Sequence, residues 1–229
     1  MRLNKFIAST GHCSRRKADE LIEQDRVRVN GEAPSIGTQI DPEIDRVSIN
    51  GKTIHAPAEF TYIMLHKPTG YTTTKSDPHA DRTIYDLLPD KYHHLHPVGR
   101  LDRDSEGLLL LTDDGDFTYK MTHPSNNSEK TYHIKIKNPL NPKQIDRLEI
   151  GILIEEDQGL YKTKPCKIKS LGQNKFEIAL SEGRNRQIRK MFQAAGTRVV
   201  FLKRLKMGAY ELEKLKKGDW KIVKNHYKC

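Results

Sequence analysis

The chain has 229 residues and a formal net charge of +10, with 35% hydrophobic and 31% charged side chains. That length holds one large domain, or a large one with a small one attached, and the composition is that of a soluble chain. No run approaches the ~20 apolar residues of a membrane span, and the N-terminus MRLNKFIASTGHC lacks the apolar stretch of a signal peptide. A cytoplasmic protein is therefore expected.

Cys13, Cys166 and Cys229 are scattered without CxxC spacing, so neither a disulfide framework nor a zinc site is supported. Residues 184–229 hold fourteen Lys and Arg against three acids, whereas the other 183 residues hold 26 basic and 27 acidic side chains. The whole excess lies in the C-terminal fifth, as an electrostatic footprint for a polyanion does. Without a strongly amphipathic basic helix, nucleic acid is expected rather than a membrane.

In chain order, Leu3, Phe6 and Ile7 give a short helix over residues 2–9, closed by Thr10-Gly11. Ser14 N-caps a second helix, SRRKADELIEQ, with Ala18, Leu21 and Ile22 as its apolar stripe. RVRV predicts a strand ending at an Asn30-Gly31 turn, and RVSINGKTI a hairpin around Asn50-Gly51. HAPAEF reads as a linker. The apolar strand TYIMLHKP follows, and YHIKIK and KFEIALSEG alternate as half-buried strands do. Helical signals are PKQIDRLEIG, QIRKMFQAAG and TIYDLL. Strands outnumber helices and arrive as hairpins, so the expected class is α+β. A small helix-rich domain precedes a mixed, mainly antiparallel sheet with a few helices. Neither GxGxxG nor GxxxxGK occurs, so no phosphate-cradling loop is expected.

The stretch GRLDRDSEGLLLLTDDGD (99–116) sets a charged knot before the most apolar run in the chain. Asp102, Asp104 and Glu106 alternate, and on an extended turn such carboxylates point apart, a poor glycosidase dyad. Asp113, Asp114 and Asp116 read as a solvated turn between strands, lacking the later glutamate of a calcium loop. His93, His94 and His96 lack a fourth ligand, so no metal is assigned. Asp102, at the edge of a buried strand, wants a cation. EGRNRQIRKM (182–191) offers several, with Arg186 and Arg189 three apart on one helical face. Such a pair supplies the counter-charge of a nucleophile or base, and equally suits a structural ion pair.

LNKFIASTGHCSRRKADELIEQDRVRVNGE resembles the S-four-type RNA-binding domain, which implies RNA contact by Arg15, Arg16 and Lys17. GRLDxxSxGLLLLTxDG resembles the signature of the pseudouridine synthases that modify ribosomal RNA. HKPTGYTTT (66–74), EKTYHIKI (129–136) and EGRNRQIRKMF (182–192) follow in that family's order. The resemblance is strongest to the large-subunit enzymes. It implies an RNA-binding domain with linker over residues 1–58, a catalytic domain over 59–229, and a monomer whose partner is ribosomal RNA.

The implied chemistry detaches uracil from ribose, rotates it and rejoins it through carbon 5, with no cofactor. Asp102 is implied as the essential carboxylate, attacking the anomeric carbon or removing the 2′ proton. Tyr132 is implied to stack on the base, and Arg189 to pair with Asp102 ahead of Arg184 or Arg186. Arg100, Lys67, Arg184, Arg186 and Gln187 are implied RNA contacts, with His66 and Gly70 lining the site. Glu106 departs from the family pattern and adds negative charge near the pocket. Two other readings are a non-catalytic RNA-binding assembly factor and a hydrolase of the glycosidic bond; the same isomerisation on small-subunit or transfer RNA is a further variant.

Overall fold

The computed structural model describes residues 1–75, 77–78 and 80–227; Cys229 lies outside them. The chain divides into two compact units. One comprises Met1–Thr61 with His94–His96 and Thr112–Asp116, and the other the rest of the chain from Tyr62 onward.

In the first unit, α1 (Leu3–Ser9) and α2 (Arg15–Glu23) precede a three-stranded antiparallel sheet of β1 (Val27–Val29), β2 (Val47–Ile49) and β3 (Lys52–Ile54). Ser14 Oγ accepts the Lys17 N–H and so satisfies one orphan donor of α2. Asn50 and Gly51 both take positive φ, +49° and +77°, which matches the right-handed twist of the β2–β3 hairpin. The predicted stripes, Leu3, Phe6 and Ile7 with Ala18, Leu21 and Ile22, close on Val27, Val47 and Ile49 as a core.

The second unit is built on a nine-stranded sheet. Its strands and helices run β4 (Tyr62–Lys67), β5 (His96–Val98), β6 (Glu106–Thr112), α3 (Gly115–Thr122), β7 (Lys130–Ile136) and α4 (Pro142–Glu149). The hairpin β8 (Leu153–Glu156) and β9 (Gly159–Lys162) follows, then β10 (Lys167–Ser170), β11 (Lys175–Leu180), α5 (Gln187–Ala194), β12 (Val199–Met207), β13 (Tyr210–Glu211) and β14 (Trp220–Ile222). The order across the sheet is β10-β11-β7-β12-β6-β4-β14, with β5 on β6 and β13 on β12. The β12–β6 pair is parallel, whereas β10–β11, β11–β7, β7–β12 and β4–β14 are antiparallel. The expected α+β class with a mainly antiparallel sheet is what forms. Among the described residues, no helix is long and apolar enough to cross a membrane.

The sheet is covered unevenly, and that explains its two kinds of strand. Every residue of β6 is buried. Leu108 and Leu110 pack with Tyr62, Met64, Phe117 and Met121 on one face, leaving Leu109 and Leu111 to the other. Truncating any of the four to Ala costs about 2–5 kcal/mol. In β7 only one face is covered from Tyr132 onward: Tyr132, Ile134 and Ile136 are buried, and His133 and Lys135 are not. That covered side receives α5, whose Phe192 ring lies 6.3 Å from Phe176 of β11.

Two local expectations are corrected. The TDDGD acids do not form a solvated turn between strands. Asp114 is buried and accepts the Asp116 N–H at 2.9 Å, and α3 begins there, anchored by Phe117 and Met121 one turn apart. TIYDLL makes only a 3-10 turn, Ile84–Leu87, capped by Thr83 and Asp86. Pro89 then forces the preceding Leu88 into extended backbone.

Candidate active site

At the mouth of β6 the chain turns from Asp102 to Ser105, with the Ser105 N–H donating to the Asp102 carbonyl at 3.0 Å. Every carbonyl from Leu101 to Ser105 is held by another part of the unit. Thr73 Oγ1 donates to Leu101 at 2.7 Å, and the Gly70 N–H to Arg103 at 2.7 Å. Lys67 Nζ donates to Asp102 at 2.9 Å, to Ser105 at 2.8 Å and to Pro68 at 3.1 Å. Arg189 Nη2 donates to Asp104 at 3.0 Å. A turn fixed at five successive carbonyls holds its side chains in place before any ligand arrives.

Gly107 permits this arrangement. It lies at φ +116°, and a Cβ there would stand 2.2 Å from the Arg204 carbonyl of β12. Only glycine lets β12 approach so closely, which brings the Asp102 turn beside the arginine-rich segment that precedes β12. Arg204 is itself buried, its Nε donating to the Leu108 carbonyl at 2.7 Å.

Around this turn lies a cleft of about 390 Å³, lined by Gly99–Asp102, Ser105, Tyr132 and residues 182–189, with Leu180 and Leu202. That volume falls within the range of small-ligand sites. Asp102 carries the turn's carboxylate into the cleft, and Tyr132 comes from the covered face of β7. Arg100 and Arg184 are exposed at the cleft. Arg186, at φ +50°, reaches Asp102 at 3.5 Å and Asp104 at 3.1 Å. Burial pushes the Asp104 carboxyl up, but the Arg186 hydrogen bond with the Arg189 and Arg186 charges outweighs it, and the pKa falls below the usual range.

Residues 61–194 match the RNA pseudouridylate synthase family, and residues 1–36 the S4 domain. A curated relative, ribosomal large subunit pseudouridine synthase B of Bacillus subtilis (strain 168), is 38% identical over 98% of this chain and 93% of its own. The chain belongs to the RNA pseudouridylate synthase family. The dual-specificity RNA pseudouridine synthase RluF of Escherichia coli (strain K12) is 36% identical over 96% of this chain and 74% of its own. A crystal structure of a pseudouridylate synthase superposes with a TM-score of 0.71 at 35% identity, covering 98% of this chain and 96% of that one.

In this synthase, several expected contacts are placed differently. Arg186, not Arg189, lies against Asp102, because Arg189 is drawn inward to the Val199 and Asp104 carbonyls and Ser105 Oγ. Lys67 is fully buried and cannot touch RNA; its three N–H groups are taken by the three carbonyls. Burial lowers its pKa to about 8 despite the neighbouring Asp102 and Asp104 charges. His66 is buried against the Leu215 carbonyl. Gly70 braces the turn from behind.

Gln187 is also buried, donating to Glu182 and accepting the Arg184 N–H. Glu106 lies outside the cleft, paired with Lys217 at 2.7 Å. The alternating Asp102 and Asp104 do not point apart, since the turn folds both onto one guanidinium.

Sequence reasoning missed the support of the arginine loop. Glu182 is buried and accepts from Tyr161 Oη at 2.8 Å and the Lys164 N–H at 3.0 Å, while Arg184 stacks on the Tyr161 ring at 3.3 Å. Nothing in the local pattern of GLYK marks Tyr161, which acts across 23 positions of sequence.

Proposed function

We propose that this synthase converts a uridine of large-subunit ribosomal RNA to pseudouridine, with Asp102 as the essential carboxylate. The observation that carries this reading is the placement of Asp102 in a cationic cleft, on a turn tied at five carbonyls, with Tyr132 lining the same cleft. In the reaction the C1′–N1 bond breaks, uracil rotates, and a C1′–C5 bond forms. The C5 proton is lost and N1 regains one, so the mass of the RNA is unchanged. Asp102 acts as an ionised group whether it adds to C1′ or removes the 2′ proton. Arg186 supplies its counter-charge, and Arg189 is a positioning residue for the turn. Tyr132 offers the ring for stacking and for departure of the C5 proton.

A uridine in folded RNA must leave its stack, at a few kcal/mol, and Arg100, Arg184 and Arg186 are placed to brace the phosphates of the flipped nucleotide. Residues 1–58 choose the RNA by shape. Arg15, Arg16 and Lys17 support this: they are exposed on the first turn of α2, which holds no acid. The helix dipole disfavours cations there by roughly 0.3–1 kcal/mol each, which an ion pair with Glu20 at 2.7 Å offsets for Lys17 alone.

The test is incubation with unmodified large-subunit rRNA followed by pseudouridine mapping. Wild type is expected to form a discrete site. Asp102→Asn is expected to lose at least about 10²–10⁴-fold in rate while RNA affinity stays within about threefold. Turnover in that variant, or release of free uracil by the wild type, refutes the reading.

A further inference from the structure

Several of the C-terminal cations that dominate the sequence charge are already engaged. Lys206 pairs with Glu211, Lys217 with Glu106 and Lys221 with Glu213, and Arg204 is buried. One group of uncommitted lysines lies on the face of the sheet opposite Tyr132 and α5. Cross-strand register puts Lys169, Glu177, His133 and Lys203 in one row, and Lys175, Lys135 and Phe201 in the next. Among the described residues, no carboxylate lies within ion-pair distance of Lys135, Lys169, Lys175 or Lys203.

Lys175 and Lys135 stand directly opposite each other, an arrangement that destabilises a sheet. Fold stability therefore gives no reason for them. Beside them is a shallow groove of about 320 Å³ walled by Leu171, Phe201 and the stems of these lysines. Leu171 is 43% and Phe201 38% exposed.

We propose that this open face is a second RNA-binding surface. An unpaired base stacks on Phe201 against Leu171, and the flanking phosphates lie along Lys135, Lys175, Lys169 and Lys203. An open sheet face with an exposed ring and cationic neighbours is suited to single-stranded bases, since every base has a π-face. The inference rests on RNA being the substrate, and extends it from the nucleotide in the cleft to a segment remote from the target uridine.

The test uses full-length protein and a large-subunit rRNA transcript carrying 4-thiouridine. Photocrosslinks are expected at Phe201 or Leu171 as well as in the cleft. Phe201→Ala is expected to weaken transcript binding about 5- to 150-fold, raising KM with kcat unchanged, and Phe201→Tyr to restore it. Lys135→Gln/Lys175→Gln is expected to reduce the slope of log affinity against log salt by about 1.4.

Crosslinks confined to the cleft and residues 1–58, with affinity and slope unchanged in variants that melt like wild type, overturn the proposal. So does loss of binding to phosphatidylglycerol vesicles with RNA affinity intact, which assigns the face to a membrane. Absence of pseudouridine formation by the wild type is a separate failure, and refutes the substrate reading instead.

Discussion

Replacing Lys67 by Met removes an ammonium while keeping most of the side chain's volume. Three carbonyls, the buried one of Ser105 and the partly buried ones of Pro68 and Asp102, lose their donor, at about 1–3 kcal/mol each. Against this, burial drags the lysine pKa from 10.5 to about 8, a cost of about 3 kcal/mol that methionine avoids. The net loss is centred near 3 kcal/mol, or about 6–12 °C in the melting of the unit holding the sheet.

The deficit also depends on pH. The folded-state pKa lies below the unfolded one, so between pH about 8 and 10.5 the unfolded chain holds the proton that the folded chain has released. Wild-type stability from this group therefore rises across that window, and the gap to Lys67→Met widens by up to about 3 kcal/mol. The Asp102 turn loses two of its five ties, so single-turnover pseudouridine formation is expected to fall about 100-fold. Urea unfolding at pH 7 and 9.5, with a single-turnover assay, checks both. A variant as stable and as fast as wild type, with a gap flat in pH, refutes the clamp.

Two other pairs of substitutions isolate single features. Gly107→Ala forces a Cβ into the Arg204 backbone at positive φ and is expected to cost more than about 3 kcal/mol. Gly115→Ala, with open space around it, is expected to stay within about 0.5 kcal/mol; equal melting temperatures refute the close approach of β12. Arg186→Gln and Arg189→Gln are expected to separate activity from stability. The first, in a half-exposed pair, changes stability by under about 1 kcal/mol but lowers kcat. The second strips the Val199 and Asp104 carbonyls and Ser105 of a donor and lowers the melting temperature, at about 2–4 kcal/mol. The opposite pattern in urea unfolding and rate measurements restores the Arg189–Asp102 pairing.

The sequence by itself determined what near neighbours decide. The helices of the first unit follow from apolar spacing, the hairpin from Asn50-Gly51, and the alternating strands β7 and β11 from their period of two. Each depends on residues within one or two turns, whose sterics and burial act wherever the segment sits. It also marked the Asp102 turn, because charge beside four leucines is a local contrast.

Only the tertiary structure decided which partner each charge took. Arg186 and Arg189 lie three apart and are alike in pattern. The αL conformation at Arg186 turns one outward to Asp102, while the other is drawn to carbonyls as far as 85 positions away. Lys67, expected as an RNA contact, is instead a buried clamp on the carbonyls of Pro68, Asp102 and Ser105. The C-terminal charge excess likewise divided into cations that are paired, such as Lys206 and Lys217, one that is buried, Arg204, and one left open on β12, Lys203. A guanidinium or ammonium carries no local preference strong enough to fix its partner, so the choice falls to whichever acceptor the fold leaves within reach and out of water.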